Sequence, residues 1–437
     1  RRRPPLPNGR GHRYTQGMNA RQYVAERAAA ARAAAAELAV APGGRRNAAL
    51  LAAAAAIRAR AAELAQANAK DLSEAAKAGL SEAMLDRLTL TDRRIEAMAA
   101  ALEAIAAQTD PVGRTLSACN RPNGLRVEKR RVPLGVVAVI FESRPNVTAD
   151  VGGLCLKSGN ACILRGGKEA IHSNLAIAAC LREGLKQAHL PAAAVTVIES
   201  TDRAIVPALA QAEGLIDLII PRGGEGLIRA VVQAATIPVI KHYAGNCHVY
   251  VDADCDGRMA RDIVRNAKCQ RPGVCNAAET LLVHAAHAGA GGLLEAILND
   301  LLAEGVELRG DERARAVCPK AAPASEDDWR TEYLALVLAV RVVDSLAEAV
   351  EHINTYGSKH TDAIVTNSIA AANAFVAAVD SSSVMVNVST RFSDGGEYGL
   401  GAEVGISTDK LHARGPMGAE DLTTYKWIVT GDGHLRT

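Results

Sequence analysis

Short apolar runs alternate with helix-like segments through most of the chain, and this alternation constrains the fold more than any other feature. In the first half, the runs lie at 135–141, 161–164, 195–198, 216–220 and 238–240. A strand that is apolar on both faces belongs in a parallel sheet that is covered by helices. A second series of the same kind extends from residue 247 to residue 387. The pattern therefore predicts an α/β protein with two doubly wound domains, in which ligands bind at the carboxyl ends of the strands.

Residues 20–107 have the composition of helices that pack on a later sheet. Alanine, which forms the run at 28–36 almost alone, has the highest helix propensity of any residue. Pro42 and the two glycines after it are predicted to end the first helix. A second helix is predicted over 47–68, and a third is predicted to begin at Thr91.

Residues 115–131 have a different character, because polar and β-prone residues flank the pair Asn123-Gly124. This pair is typical of the tight turn of a β-hairpin. The segment 422–429 near the end of the chain is also β-prone, so we expect it to pair with the hairpin. We interpret the two segments together as a small β-arm for oligomerisation.

Charge and composition argue against several classes of protein. The 437 residues carry a net charge of +2 and only 3% are aromatic, which argues against nucleic-acid binding through bulk charge or base stacking. No apolar stretch approaches the roughly 20 residues that span a bilayer. The nine cysteines are odd in number and form no CxxC pair, so we expect a reducing compartment, the cytoplasm. The basic segment 1–17 is predicted to be a disordered leader.

Cys275 is the strongest candidate for a nucleophile. Pro272 and Gly273 interrupt regular structure just before it, so the sequence predicts that Cys275 lies on a loop. Arg271 is close enough in the chain to favour the thiolate, which is the reactive form of cysteine. The alternative is a buried cysteine with a purely structural role.

Two glycine-containing turns follow apolar strands and are candidates for binding a dinucleotide. Neither matches the GxGxxG or P-loop pattern. They consist of Arg165, Gly166, Gly167 and Lys168, and of Arg222, Gly223 and Gly224. Glycines at such turns let backbone N–H groups approach a pyrophosphate. Arg165 and Lys168 can also meet a ribose 2′-phosphate, which favours NADP over NAD. The alternative is a pair of ordinary tight turns with solvated charges.

Asn146 follows the first strand of the sheet. At that position its side-chain amide can donate to an oxyanion that forms during a reaction. The alternative is that Asn146 caps the helix predicted to begin at Val147.

The most specific motif lies between residues 343 and 364. It consists of Val343, Ala349, Val350, His352, Ile353, Tyr356, Gly357, Ser358, His360, Thr361, Asp362 and Ile364. With this spacing the motif resembles the signature of the γ-glutamyl phosphate reductase family, within the aldehyde dehydrogenase superfamily. The blocks 156–160, 165–170 and 410–418 resemble other parts of the same family, and the resemblance covers roughly residues 20–430.

This resemblance implies a fold and a reaction. It implies an aldehyde-dehydrogenase-like fold in which Cys275 is the nucleophile, Asn146 binds the oxyanion and Glu332 contacts the nicotinamide ribose. It also implies the NADPH-dependent reduction of L-glutamyl 5-phosphate to L-glutamate 5-semialdehyde through a cysteine thioester, in proline biosynthesis. Hydrolytic members of the superfamily carry a glutamate that activates water, whereas the corresponding segment 242–246 has no carboxylate. Its absence favours reduction, since water would destroy the thioester.

The substrate of such an enzyme carries a phosphate, a carboxylate and an ammonium group. We expect Arg144, Arg271 and Arg391 to bind the anions, because arginine pairs with them in a bidentate way. The hydroxyls of Ser389 and Thr390 are expected to help, and Glu142 or Asp394 to receive the ammonium. Each arginine could instead form a structural salt bridge.

Histidine spacing does not indicate a metal site. His284 with His287, and His352 with His360, lack a third ligand at a familiar spacing. We therefore expect no metal, and interpret His352 and His360 as structural, with a functional contribution left open.

The predicted domain organisation follows from these assignments. It consists of an NADP-binding domain (18–114 and 132–246), a catalytic domain (247–415), the β-arm (115–131 and 416–437) and the leader. The predicted partners are a small-molecule substrate, further copies of the chain and a separate glutamate 5-kinase, with no nucleic acid and no membrane.

Three competing interpretations remain at this level. The nearest is an NAD(P)-dependent dehydrogenase that oxidises another semialdehyde. The others are an inactive binding protein that retains the fold, and a nucleic-acid binder that acts through the basic leader.

Overall fold

A computed structural model describes residues 19–436, so the predicted leader at 1–17 lies outside the described residues. The helices are α1 (Ala20–Val40), α2 (Gly43–Ala59), α3 (Ala61–Lys77), α4 (Glu82–Leu88), α5 (Asp92–Ala107), α6 (Asn146–Lys157), α7 (Ile171–Gln187), α8 (Ile205–Ala210), α9 (Glu225–Ala234), α10 (Gly257–Cys269), α11 (Leu293–Ala303), α12 (Glu312–Val317), α13 (Leu346–Tyr356) and α14 (Ile369–Ala378). The strands are β1 (Thr115–Asn120), β2 (Arg126–Pro133), β3 (Val136–Phe141), β4 (Ala161–Arg165), β5 (Val195–Val197), β6 (Leu218–Arg222), β7 (Cys247–Val251), β8 (Ala278–His284), β9 (Glu307–Gly310), β10 (Ala322–Pro323), β11 (Val337–Val343), β12 (Thr361–Val365), β13 (Ser383–Val386), β14 (Ile406–Ser407), β15 (Gly415–Pro416) and β16 (Thr423–Thr430).

The chain divides into two compact units. The first unit comprises the described residues up to Lys241, residues 400–405 and those from Met417 onward. The second unit comprises residues 242–399 and 406–416. The functional division of the chain at residue 246 stays a prediction.

The first unit contains a four-stranded parallel sheet in the order β5-β4-β3-β6. Every residue of β3 is buried, as expected for a central strand that is covered on both faces. The strand predicted at 238–240 was wrong, because this segment forms only an isolated bridge between Ile219 and Val239. Pro238 has no N–H to donate, which limits ladder pairing there.

The N-terminal helices pack closely because small residues line their contacts. Gly184 of α7 approaches α2 so closely that a β-carbon there would lie 2.3 Å from the carbonyl oxygen of Ala49. The single helix predicted over 47–68 is two helices, α2 and α3, which meet at the non-helical residue Arg60. The predicted start of the third helix was correct, since the Thr91 side chain accepts from the backbone N–H of Arg94 and caps α5.

The β-arm is a three-stranded antiparallel sheet in the order β1-β2-β16. Gly124 adopts a φ of +91° in the predicted turn. The pairing of β16 with β2 confirms that the late β-prone segment joins the hairpin. Tyr425 and Trp427 are exposed on this sheet.

The second unit is built on a seven-stranded parallel sheet in the order β10-β9-β11-β8-β7-β12-β13. Its central strands are apolar on both faces and pack against helices on each side. Together with the first sheet, this confirms the predicted doubly wound α/β class. Among residues 19–436, no helix is both long and apolar enough to cross a membrane.

Candidate active site

Four candidate side chains in the second unit lie at the amino-terminal edge of its sheet. Strands β11, β8, β7 and β12 are consecutive neighbours, and all run in the same direction. The segments that lead into them carry Glu332, Cys275, His242 and His360, respectively. Because parallel strands begin at one edge, these segments come together there. This edge is opposite to the carboxyl ends of the strands, where the sequence predicts that ligands bind in the first sheet.

Cys275 is half-buried on the turn between α10 and β8, as the sequence predicted. Gly245 packs directly on it, since a β-carbon on Gly245 would lie 1.9 Å from the carbonyl oxygen of Cys275. The thiol of Cys247 donates to that same oxygen at 3.2 Å. Burial raises the pKa of Cys247 well above its usual value, so this group remains a protonated donor. These contacts fix the backbone that carries the Cys275 sulfur.

Two imidazoles lie beside the Cys275 sulfur. Histidine spacing in the sequence did not identify this pair. One ligand atom each from His242, Cys275 and His360 lie within 4.8 Å of one another. Nδ1 of His242 lies 2.9 Å from the carbonyl oxygen of Ile406, and Nδ1 of His360 lies 2.8 Å from the Thr361 hydroxyl. An imidazole at such a position can accept the proton of a thiol. The available signal was that His360 directly precedes a buried strand and that His242 lies five residues before the start of another.

A buried ion pair brackets the Cys275 turn. Lys268, near the end of α10, donates to Glu279 of β8 at 2.6 Å, and both side chains are fully buried. Burial raises the pKa of Glu279 to about 7 and lowers that of Lys268. The second oxygen of Glu279 accepts from the backbone N–H of Leu334, which has a φ of +53°. The pair therefore joins both ends of the turn to the segment that carries Glu332.

Glu332 is held next to the Cys275 turn. Its carboxylate accepts from the backbone N–H of Gly245 at 2.9 Å. Since Gly245 also contacts Cys275, the structure brings together Glu332 and the predicted nucleophile.

Cations lie on another side of the Cys275 turn. Nε of Arg391 donates to Gln270 at 2.8 Å, and the Asn276 amide donates to the carbonyl oxygen of Ser393 at 3.0 Å. Burial and the neighbouring charge of Arg271 lower the pKa of Arg391. Two cations this close favour an anion between them.

The hydroxyls predicted to help these arginines are buried. Ser389 accepts from the backbone N–H of Arg391 and thereby caps a short helical turn, whereas the Thr390 hydroxyl has no hydrogen-bond partner among the described residues. A cleft of about 990 Å³ is lined by Gln270, Ser389 and Arg391 among others.

The signature motif supports the segment that carries His242. The Asn246 amide donates to the carbonyl oxygens of Trp329 and Tyr356, and Asp362 lies 2.8 Å from Nδ1 of buried His248. His352 accepts from Arg341 at 3.1 Å, and burial lowers its pKa to about 2, so this imidazole is neutral. Such contacts agree with a structural role for His352.

In the first unit, Asn146 lies at the carboxyl end of β3, where it starts α6. Pro145 occupies the capping position without a side-chain hydrogen bond, so the alternative of Asn146 as a helix cap was wrong. The Asn146 amide instead donates to Asp150 at 2.9 Å, and burial raises the pKa of Asp150 to about 6. This bond fixes the orientation of the planar Asn146 amide. The direction of its second N–H is thereby fixed as well. Arg144 is exposed two residues earlier.

The two glycine turns follow β4 and β6, the neighbours of β3, and therefore lie at the same edge. β-Carbons on Gly166 and Gly167 would lie 2.1 Å from Asn174 and 1.9 Å from Glu169. Arg165 is half-buried, which lowers its pKa, and Lys168 is exposed.

A carboxylate already occupies the second of these turns. The backbone N–H of Gly224 donates to Glu142 at 3.0 Å, and a β-carbon on Gly223 would lie 2.6 Å from the same carboxylate. Arg222 lies 3.5 Å from Glu403. An incoming phosphate at Gly224 would therefore compete with Glu142.

Comparison with known proteins assigns the family. The model of the aldehyde dehydrogenase family matches residues 12–302. The structure of γ-glutamyl phosphate reductase from Thermotoga maritima is 45% identical and superposes with a TM-score of 0.91, with 94% of this chain and 99% of that chain covered. The chain belongs to the aldehyde dehydrogenase family.

Two further structures extend this comparison. γ-Glutamyl phosphate reductase from Saccharomyces cerevisiae is 32% identical, with a TM-score of 0.51 and coverage of 96% of this chain and 99% of that chain. An acetylating aldehyde dehydrogenase from Geobacillus thermoglucosidasius, at 18% identity and a TM-score of 0.68, covers 96% of this chain and 98% of that chain and shares the fold. The aldehyde dehydrogenase fold implies a nicotinamide cofactor.

Proposed function

We propose that this chain reduces L-glutamyl 5-phosphate with NADPH, giving L-glutamate 5-semialdehyde and phosphate, a step of L-proline biosynthesis. The observation that carries the proposal is the likeness to the Thermotoga maritima γ-glutamyl phosphate reductase, which is 45% identical over 94% of this chain. The geometry of the second unit supports it, because a half-buried cysteine on a fixed turn lies near two arginines and two imidazoles. This arrangement suits a nucleophile that attacks an anionic acyl group.

Cys275 supplies the covalent step. Its thiolate attacks the acyl carbon, the carbon–sulfur bond forms, and the carbon–oxygen bond to phosphate breaks. A nicotinamide cofactor, when bound, would supply the hydride that reduces this thioester. The resulting oxyanion then collapses, the carbon–sulfur bond breaks, and the thiolate is restored as the aldehyde leaves. The imidazoles of His242 and His360 lie close enough to the sulfur to provide an acceptor for the thiol proton during the attack.

Asn146 is proposed as the donor to the oxyanion. The sequence resemblance supports this role, and so does the bond to Asp150, which orients the amide without a role as helix cap. A single donor of this kind contributes about 2.7–4 kcal/mol to the stabilisation of a transition state.

Substrate recognition is proposed for Arg144, Arg271 and Arg391, with Ser389 and Thr390. Burial and the neighbouring charge of Arg271 lower the pKa of Arg391, and two cations this close favour an anion such as phosphate. The buried Thr390 hydroxyl provides an additional polar group.

The cofactor is proposed to bind at the carboxyl edge of the first unit, through Arg165, Gly166, Gly167 and Lys168, with Arg222, Gly223 and Gly224. The glycines support this role because they let backbone N–H groups approach a pyrophosphate, and a β-carbon on Gly224 would have no neighbour within 4 Å. Arg165 and Lys168 provide cations for a 2′-phosphate, which supports NADPH over NADH. Glu332 is proposed to bind the nicotinamide ribose.

Further proposals concern partners and location. The exposed aromatic side chains of the β-arm support its use in forming a homo-oligomer. A separate glutamate 5-kinase is proposed to supply the labile acyl phosphate, and the free thiols support a cytoplasmic location.

The deciding experiment follows nicotinamide absorbance in the reverse direction, with glutamate semialdehyde and NADP. We expect reduction of NADP only when inorganic phosphate is present. Reduction without phosphate would support the alternative, a dehydrogenase that oxidises a free semialdehyde.

A matched pair of cysteine variants tests the nucleophile. Cys275→Ala should abolish turnover and retain NADPH binding, while Cys119→Ala on the exposed β-arm should behave as wild type. Turnover by Cys275→Ala at more than about one-thousandth of the wild-type rate would overturn the assignment.

A further inference from the structure

A cluster of one thiol and two imidazoles surrounds the predicted nucleophile in the second unit. We propose that His242, Cys275 and His360 bind Zn²⁺, or another thiophilic divalent cation, as a reversible inhibitor that blocks the sulfur. Binding rests on the geometry of these three residues. Only its inhibitory consequence rests on the proposed function.

The three side chains are a suitable ligand set. One thiolate and two imidazoles are ligands that Zn²⁺ prefers, and sites with three protein ligands leave the fourth position for water. Bond lengths of about 2.0–2.3 Å place the ligand atoms of a tetrahedral zinc site roughly 3.3–3.8 Å apart. The ligand atoms here all lie within 4.8 Å of one another. Small rotations of the side chains therefore complete the geometry.

Contacts at Nδ1 orient both imidazoles. Nδ1 of His242 donates to the carbonyl oxygen of Ile406 at 2.9 Å, which leaves the lone pair of the neutral ring on Nε2. Nδ1 of His360 lies 2.8 Å from the Thr361 hydroxyl. Histidine ligands of metals are held by such bonds, which fix the tautomer and the ring orientation. The backbone of the third ligand is fixed by Gly245 and Cys247.

The surrounding charges set the strength of binding. Arg271 and Arg391 oppose a cation near Cys275, while Glu332 provides a nearby negative charge. The site therefore suits a reversible inhibitor better than a permanent structural ion. When the metal binds, the Cys275 thiol releases its proton to solvent and the sulfur–metal bond forms. The metal and the acyl phosphate consequently compete for one sulfur atom.

The test measures the alkylation of Cys275 by iodoacetamide in the reduced, chelator-treated protein, with the modified peptide identified by mass spectrometry. Free Zn²⁺ at micromolar concentration should slow this reaction at least tenfold, and a chelator should restore it. His242→Ala should raise the Zn²⁺ concentration needed for half-protection by about 10–100-fold. Since His242 is only partly buried, this variant is the least disruptive one. His360→Gln should show the same shift, with its thermal unfolding measured alongside.

The control uses a second histidine–cysteine contact in the same unit. Nε2 of His287 lies 3.6 Å from the sulfur of Cys255, and this pair belongs to no three-ligand cluster found among residues 19–436. His287→Ala should leave the protection of Cys275 unchanged. Equal loss of protection in His287→Ala and His242→Ala, or no protection at 1 mM Zn²⁺, would overturn the proposal.

A Co²⁺ titration gives a second readout that requires no substrate. The wild type should develop a thiolate-to-cobalt charge-transfer band, and Cys275→Ser should lose it. A protein that shows this band but has no reductase activity would contradict the proposed function and support the metal site. An active reductase that lacks the band and shows no protection would contradict only the metal site.

Discussion

Gly245 lies so close to Cys275 that a β-carbon on the glycine would overlap the cysteine carbonyl oxygen, at 1.9 Å. A side chain at residue 245 must therefore displace the turn that carries the sulfur. We expect Gly245→Ala to reduce kcat by at least about 10²-fold, since a displacement near 1 Å at a reacting group costs this much. Steady-state kinetics measure the effect. Gly289→Ala, in open space in the same unit, is the matched control and should retain full activity.

Asn146 should contribute to the reaction rate and not to substrate binding. An amide that stabilises an oxyanion acts in the transition state, so Asn146→Ala should lower kcat by about 10²–10³-fold. The KM for the acyl phosphate should change little. Asn367→Ala, at an exposed asparagine of the second unit, should have normal kinetics. A normal kcat in Asn146→Ala would exclude the proposed role.

Asp150 should make stability depend on pH in a defined direction. Burial raises its pKa from 3.8 to about 6 in the folded state, so folding favours the protonated form. This contribution is fully present below pH 3.8 and is lost as the pH rises to about 6. Asp150→Asn should remove this loss of stability, because asparagine does not ionise. The melting temperature of the variant should therefore exceed that of the wild type, and the difference should be larger at pH 7 than at pH 4.5.

A carboxylate with the opposite shift provides the control for that pH series. Arg261 lowers the pKa of Asp300, so the contribution of Asp300 is present at neutral pH and is lost as the pH falls. Asp300→Asn should therefore lower the melting temperature at pH 7, whereas Asp150→Asn should raise it. A change of the same sign in both variants would contradict the assignment for Asp150.

The buried pair of Lys268 and Glu279 should be sensitive to removal of one partner. Lys268→Met leaves a buried carboxylate without its cation, which costs about 3–5 kcal/mol of unfolding free energy. Because the pKa of Glu279 is already raised to about 7, the loss should be smaller below pH 6 than at pH 8. Denaturant unfolding measures it. Arg261→Met, which removes an exposed ion pair with Asp300, should cost less than about 1 kcal/mol.

Lys168 should select between the two nicotinamide cofactors. If its ammonium meets the 2′-phosphate, Lys168→Ala should lower kcat/KM for NADPH by about tenfold and leave that for NADH unchanged. Lys186→Ala, on an exposed position of α7, should change neither value. Equal effects on both cofactors would place the cofactor phosphate elsewhere.

The sequence alone determined the features that arise from local pattern. Apolar runs such as 135–141 predicted the parallel strands, Asn123-Gly124 predicted the hairpin, and Pro272 with Gly273 predicted the turn that carries Cys275. These predictions succeed because strand burial, turn conformation and chain breaks depend on neighbouring residues. The failure at residues 47–68 has the same origin, since no residue there marks the break at Arg60.

The tertiary structure alone decided which distant residues meet. His242, Cys275 and His360 come together because they precede neighbouring strands β7, β8 and β12, and the order of strands in a sheet cannot be read from local pattern. The same order places Glu332 against Gly245, and the packing of α10 against β8 places Lys268 against Glu279. A buried polar group needs a partner, but the sequence does not say which one. The packing of the parallel sheet determines which partner each buried polar group contacts.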